Sequence, residues 1–100
     1  MKIYDILTSG VMECLTSTKY KSPNTRRFDI CNRYNSAIAH VLERNTVNHY
    51  LDMVECALVK GLKGLITKSI CDSLNDEELN IYITRYAFPV IERMFHNMDC

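Results

Sequence analysis

Apolar residues recur every three or four positions along most of this chain, which is the period of a helix with one buried face. The longest such run is residues 46–74. There Val47, Tyr50, Leu51, Val54, Leu58, Leu62 and Leu65 share an arc of roughly 120° at 100° per residue. After Gly64 the apolar positions become Ile66, Ile70 and Leu74, rotated by roughly 120°. Gly61 and Gly64 each cost about 1 kcal/mol relative to alanine in a helix interior. The pattern therefore predicts a central helix capped by Thr46, a bend near Gly61–Gly64 and a second short helix. The competing explanation of the two glycines is close packing against a crossing helix.

The same reading extends along the chain. Residues 3–18 form a first helix with Ile3, Leu7, Val11, Cys14 and Leu15 on one side, and Gly10 is placed to admit a neighbour closely. The polar stretch 16–24 reads as a loop. Ser22 then supplies a capping hydroxyl ahead of Pro23, where no N–H is needed. The second helix runs to about Arg44, its stripe built from Cys31, Tyr34, Ile38, Val41 and Leu42. Its short connection to the central helix predicts an antiparallel pair. Ser73 or Asn75 caps the last helical region; Asn75 and Glu78 have capping-box spacing, and Asp76, Glu77 and Glu78 sit where a helix dipole favours negative charge. Leu79, Tyr82, Ile83 and Tyr86 make the last buried stripe. Val90, Ile91, Met94, Phe95 and Met98 lie on a rotated face, so a kink or a fresh helix start is expected at 88–89, beside Pro89.

Composition narrows the fold. One hundred residues make one domain, 1–100, and 47% apolar residues suffice for a core. Three glycines and two prolines supply too little turn material for a many-stranded β fold. The expected architecture is all-α: a compact bundle of four to six short helices, with bends near Gly61–Gly64 and Pro89. No run approaches the roughly 20 apolar residues of a membrane span, and the first ten residues do not read as a signal peptide.

Charge and candidate chemistry narrow the function. The formal net charge is zero, so the global basic excess expected of a nonspecific nucleic-acid binder is missing. Cys14, Cys31, Cys56, Cys71 and Cys100 are odd in number and lack a CxxC, as expected of small apolar thiols in a reducing, cytoplasmic setting. His40, His49 and His96 stand at no metal-ligand spacing. There is no GxSxG, Walker-type or dinucleotide-binding glycine motif. No catalytic residue, metal or cofactor is therefore assigned, and the chain is not expected to be an enzyme.

Three candidate contact surfaces remain. Arg26, Arg33, His40 and Arg44 fall within about 40° on the second helix, a basic line away from its apolar face. They are a candidate docking stripe for an acidic protein surface or a nucleic-acid backbone. The alternative is a solvated face supported by an Asp29–Arg33 pair. Met94, Phe95 and Met98 are either core or an adaptable surface for a partner helix or a second copy of the chain. Lys60, Lys63, Thr67 and Lys68 surround a stretch with part of the helix-turn-helix pattern, Ala57 and Gly61 standing four apart, although Lys60 and Thr67 take places that should be apolar. The leading expectation is a noncatalytic protein-binding module, an inhibitor or adaptor of a larger cytoplasmic protein or nucleoprotein complex. A virus-encoded inhibitor fits that description. The alternative is a small helix-turn-helix-like DNA-binding regulator.

Overall fold

The computed structural model describes the backbone of residues 3–45 and 51–96, and the side chains of 3–41 and 58–96. Over these residues the chain is all-α. The helices are α1 (Ile3–Thr16), α2 (Pro23–Asn45), α3 (Leu51–Leu65), α4 (Lys68–Ser73), α5 (Asp76–Tyr82) and α6 (Phe88–Met94), with a π-helical turn at Ile83–Ala87 joining the last two. The Cα radius of gyration is 13.8 Å, against about 13 Å for a compact domain of this length. The expected Thr46 cap, Val47, Tyr50 and Met98 lie outside the described residues, as do the side chains of Leu42, Arg44, Leu51, Val54 and Ala57.

The first two helices pack as an antiparallel pair. Leu7, Val11 and Cys14 of α1 and Ile30, Tyr34, Ile38 and Val41 of α2 are buried in the shared core. Ile3, Leu15 and Cys31 are half-buried against it. Gly10 is where the two helices approach closely: a Cβ there would stand 3.3 Å from Arg33 Cβ. Ser22 starts α2 as expected, its Oγ accepting from Thr25 N–H at 3.2 Å. Tyr34 lies eleven residues before the end of α2 and Leu62 eleven after the start of α3, and the two are bonded, so α3 returns along α2.

The bend in the central segment comes just past the glycines. α3 passes through Gly61 and Gly64 and ends at Leu65, and α4 begins at Lys68. Gly61 has a packing explanation, since a Cβ there would meet Met94 Cε at 3.3 Å, whereas nothing lies within 4 Å of one on Gly64. The helix stops where other elements receive its end. The last carbonyls of an α-helix have no partner within it. Here Tyr34 of α2 donates its hydroxyl to Leu62 C=O at 2.6 Å, and Tyr82 of α5 donates to Leu65 C=O at 2.6 Å. These two hydroxyls point inward to backbone rather than outward to water. No residue described has a positive φ, so side chains take the role that a left-handed glycine often has at helix ends. Thr67 then starts α4, its hydroxyl accepting from Ile70 N–H.

Asn75 and Glu78 form the expected capping box at the start of α5, both reciprocal bonds being present. Downstream the pattern departs from the wheel. Residues four apart drift by about 40° per step in a pure α-helix. The π-helical turn, in which Phe88 N–H bonds Ile83 C=O, offsets that drift. Leu79, Ile83, Ala87, Ile91 and Phe95 are consequently all buried. Tyr86, expected on the buried stripe, is instead 53% exposed, tilted against the Tyr82 ring at 5.3 Å. Pro89 sits in the first turn of α6, but Ala87 and Phe88 keep helical backbone angles, so the π-helical turn stands where a fresh helix start is expected. A widened turn directly upstream leaves room for the proline ring.

Candidate functional site

A groove of about 730 Å³ runs between α2 and α4, lined by Asn24, Arg27, Phe28, Cys31, Asn32, Lys68, Cys71 and Asp72. Its α2 wall follows from helical spacing: Asn24, Phe28 and Asn32 stand four apart, and Arg27 and Cys31 flank them toward the core. Phe28 is 67% exposed, the most exposed large apolar side chain among the described residues. Cys31 is half-buried and Cys71 fully buried, their sulfurs 3.7 Å apart. Burial pushes the Cys71 thiol up to about 12, and the neighbouring Cys31 adds to that.

Arg27 builds the groove. Its Nε donates to Cys71 C=O at 2.8 Å, and its terminal nitrogen donates to Leu74 C=O at 2.9 Å and pairs with Asp76 at 2.9 Å. Those carbonyls end α4, where partners are missing and positive charge is favoured. One guanidinium thereby holds the end of α4, the start of α5 and α2 in register.

The basic line of α2 is drawn into the fold more than its sequence position suggested. Arg33 pairs with Glu13 of α1, and with Asp29 at 3.5 Å, the i,i+4 pair expected from the sequence. Arg26 is half-buried, donating to Ser17 C=O at 3.1 Å and lying 5.6 Å over the Tyr20 ring. Its Nε is buried without a partner. Tyr20 donates to Asp29 and also contacts Cys14 Sγ at 3.2 Å, and the Asp29 bond is the main reason its hydroxyl is pushed up. This network pins the 17–22 loop onto the helix pair. His40 is exposed at one end of a shallow depression with Ile6, Ser9, Gly10, Asn32, Arg33, Ser36 and Ala37. Arg44 belongs to α2, its side chain outside those described.

The other candidates divide similarly. Phe95 is 3% exposed, and Met94 is half-buried against the core; both serve packing, the first of the two readings above. Lys60, Lys63 and Lys68 are exposed around the α3–α4 turn. Thr67 is engaged as the α4 cap, and Gly61 lies inside α3 rather than in the turn. The structure thus brings together Phe28, Arg27 and the Cys31–Cys71 pair, none of which the periodic pattern singled out as a site. Only Phe28 carried a signal, as a large apolar residue off the buried arc.

Among the described residues no group of three or more side chains could hold a metal ion, and no helix is long and apolar enough to cross a membrane. No protein-family model, curated protein or solved structure matches this chain.

Proposed function

We propose that this chain is a noncatalytic protein-binding module, an inhibitor or adaptor, that receives an apolar side chain of a partner protein in the α2–α4 groove. The observation that carries the reading is Phe28, two-thirds exposed on the rim of a concave space. Exposing an aromatic ring forfeits roughly 1.5–3 kcal/mol of burial, and interfaces draw much of their affinity from such anchors set in pockets. The Asn24 and Asn32 amides flank it and offer hydrogen bonds to a partner backbone. Lys68 and Asp72, of opposite sign on α4, favour a partner segment whose polar flanks are likewise mixed. The exposed His40, further along α2, extends the surface.

The test is affinity capture from the native cell with the wild-type chain and F28D as parallel baits. Proteins held by the wild type and lost from F28D, at unchanged thermal midpoint, are the expected result. Identical captured sets would remove the groove from consideration. The exposed Lys60, Lys63 and Lys68 favour a second reading, DNA binding through the α3–α4 turn. It requires duplex affinity that falls steeply with salt, and undetectable binding at low salt would end it.

A further inference from the structure

We propose that Cys31 and Cys71 are a redox-active pair, which a low-molecular-weight disulfide converts to an intrachain bridge between α2 and α4. Three observations carry this. The sulfurs are 3.7 Å apart although the residues are forty apart in sequence and on different helices. A disulfide needs about 2.05 Å, so the thiols close by a side-chain movement of under about 2 Å. The pair also has a direction of approach: Cys31 is half-buried and, with Cys71, lines the open groove. Cys14, by contrast, is fully buried beside Tyr20 and Asp29 and lines neither groove.

The chemistry is thiol–disulfide exchange. The Cys31 thiolate attacks one sulfur of the small disulfide, forming a mixed disulfide and releasing one small thiol. The Cys71 thiolate then attacks the Cys31 sulfur and releases the second. The protein loses two hydrogens and the small disulfide gains them as two thiols. Cys71 is a poor thiolate while Cys31 is free, because burial, the charge of Cys31 and the hydrogen bond between the sulfurs all raise it. Capping Cys31 removes the last two causes, and the Arg27 guanidinium, which lowers Cys71, remains. The first step therefore prepares the second. The proposal does not depend on the partner-binding reading, since it needs only the two thiols and the route to them.

The experiment incubates the full reduced chain with oxidised glutathione, blocks free thiols, digests with trypsin without reductant and identifies linked peptides by mass spectrometry. Residues 28–33, carrying Cys31, should appear joined to residues 69–85, carrying Cys71, as the dominant linkage. The link should fall to the level of the other pairings when the chain is oxidised in denaturant. Bridging should raise the thermal midpoint on the order of 10 °C, by analogy with loops of this size, and a dithiol reductant should reverse the shift. In C71S, Cys31 should stop at the mixed disulfide; in C31S, Cys71 should remain a free thiol. Accumulation of the Cys31 mixed disulfide in the folded wild-type chain, with Cys71 free, overturns the proposal. So does a 28–33/69–85 link no more abundant from folded than from unfolded protein.

Discussion

Removing Arg27 should be among the costliest single changes on this surface. The side chain is 13% exposed and makes two bonds to carbonyls and one to Asp76. Hydrogen bonds to charged groups contribute about 1.5–3 kcal/mol each. Asp76 is 48% exposed, so its pair is screened and contributes well under 1 kcal/mol. Leu74 is half-buried, and water reaches its carbonyl once the guanidinium is gone. R27M keeps most of the aliphatic stem and removes only the polar head, which isolates the electrostatic part. Its expected cost is about 3 kcal/mol, a large share of the 5–15 kcal/mol that holds a typical domain. With a urea slope near 1 kcal/mol/M for a chain this small, the midpoint should fall by about 2–3 M. R27K keeps the charge but lacks the planar fork that reaches both carbonyls, so it should recover no more than about half. D76N should cost under about 1 kcal/mol. The assay is urea unfolding followed by far-UV circular dichroism. An R27M midpoint within 0.5 M or so of wild type, or R27K indistinguishable from it, would refute the view that this guanidinium holds α4 and α5 on α2.

Other changes follow from the same contacts. Y34F removes a fully buried hydroxyl from Leu62 C=O, and calorimetry should show a loss of about 1–2 kcal/mol; no loss would mean the α3 end is satisfied otherwise. G10A and G64A should differ in sign in the same denaturation assay. At Gly10 the new methyl meets Arg33 Cβ, which cannot move without its helix, so G10A should destabilise by about 1–2 kcal/mol; G64A meets nothing and should stabilise by up to about 0.5–1 kcal/mol. Stability should also decline at alkaline pH. Burial raises both the Tyr34 and Cys71 ionisations above their unfolded values, so the unfolded chain loses those protons first. Stability is intact below about pH 8.5 and falls as pH rises, by up to about 1.4 kcal/mol per pH unit for each group. Y34F should flatten the part of the decline above about pH 10 in a pH series of urea midpoints.

The helices themselves could be read from the sequence because each carries its own phase of apolar residues, and two of them carry a local start signal. Ser22–Pro23 and the Asn75–Glu78 box are local chemistry, and both act where they stand. Helix ends were less legible because remote residues decide them. Nothing within residues 61–67 announces that Tyr34 and Tyr82 will receive the last carbonyls of α3. Gly61 and Gly64 looked like the bend because glycine is the local signal for one, yet the helix runs on until those hydroxyls meet it. Tyr86 shows the same limit, since a wheel of constant pitch cannot anticipate the π-helical turn that carries it outward. The basic line is only partly external for a related reason. A wheel ranks residues by one apolar arc, but α1 and the 17–22 loop cover a second flank of α2 and engage Arg33 and Arg26.

That division bears on where function should be sought. A polar side chain whose partners are within the chain has little left for an outside ligand, so Arg26, Arg27 and Arg33 serve mainly to position what surrounds them. The informative residues are those the fold leaves at odds with burial. Phe28 is apolar yet exposed, and Cys31 is reachable while its partner thiol is not. Both lie on the face of α2 that α1 does not cover, where Arg27 holds α4 at a fixed distance. Altering Arg27 should therefore disturb partner capture and Cys31–Cys71 bridging together. F28D should abolish capture and leave bridging intact. If R27M left both unchanged while lowering the urea midpoint, the groove would owe its shape to the rest of the core and not to this guanidinium.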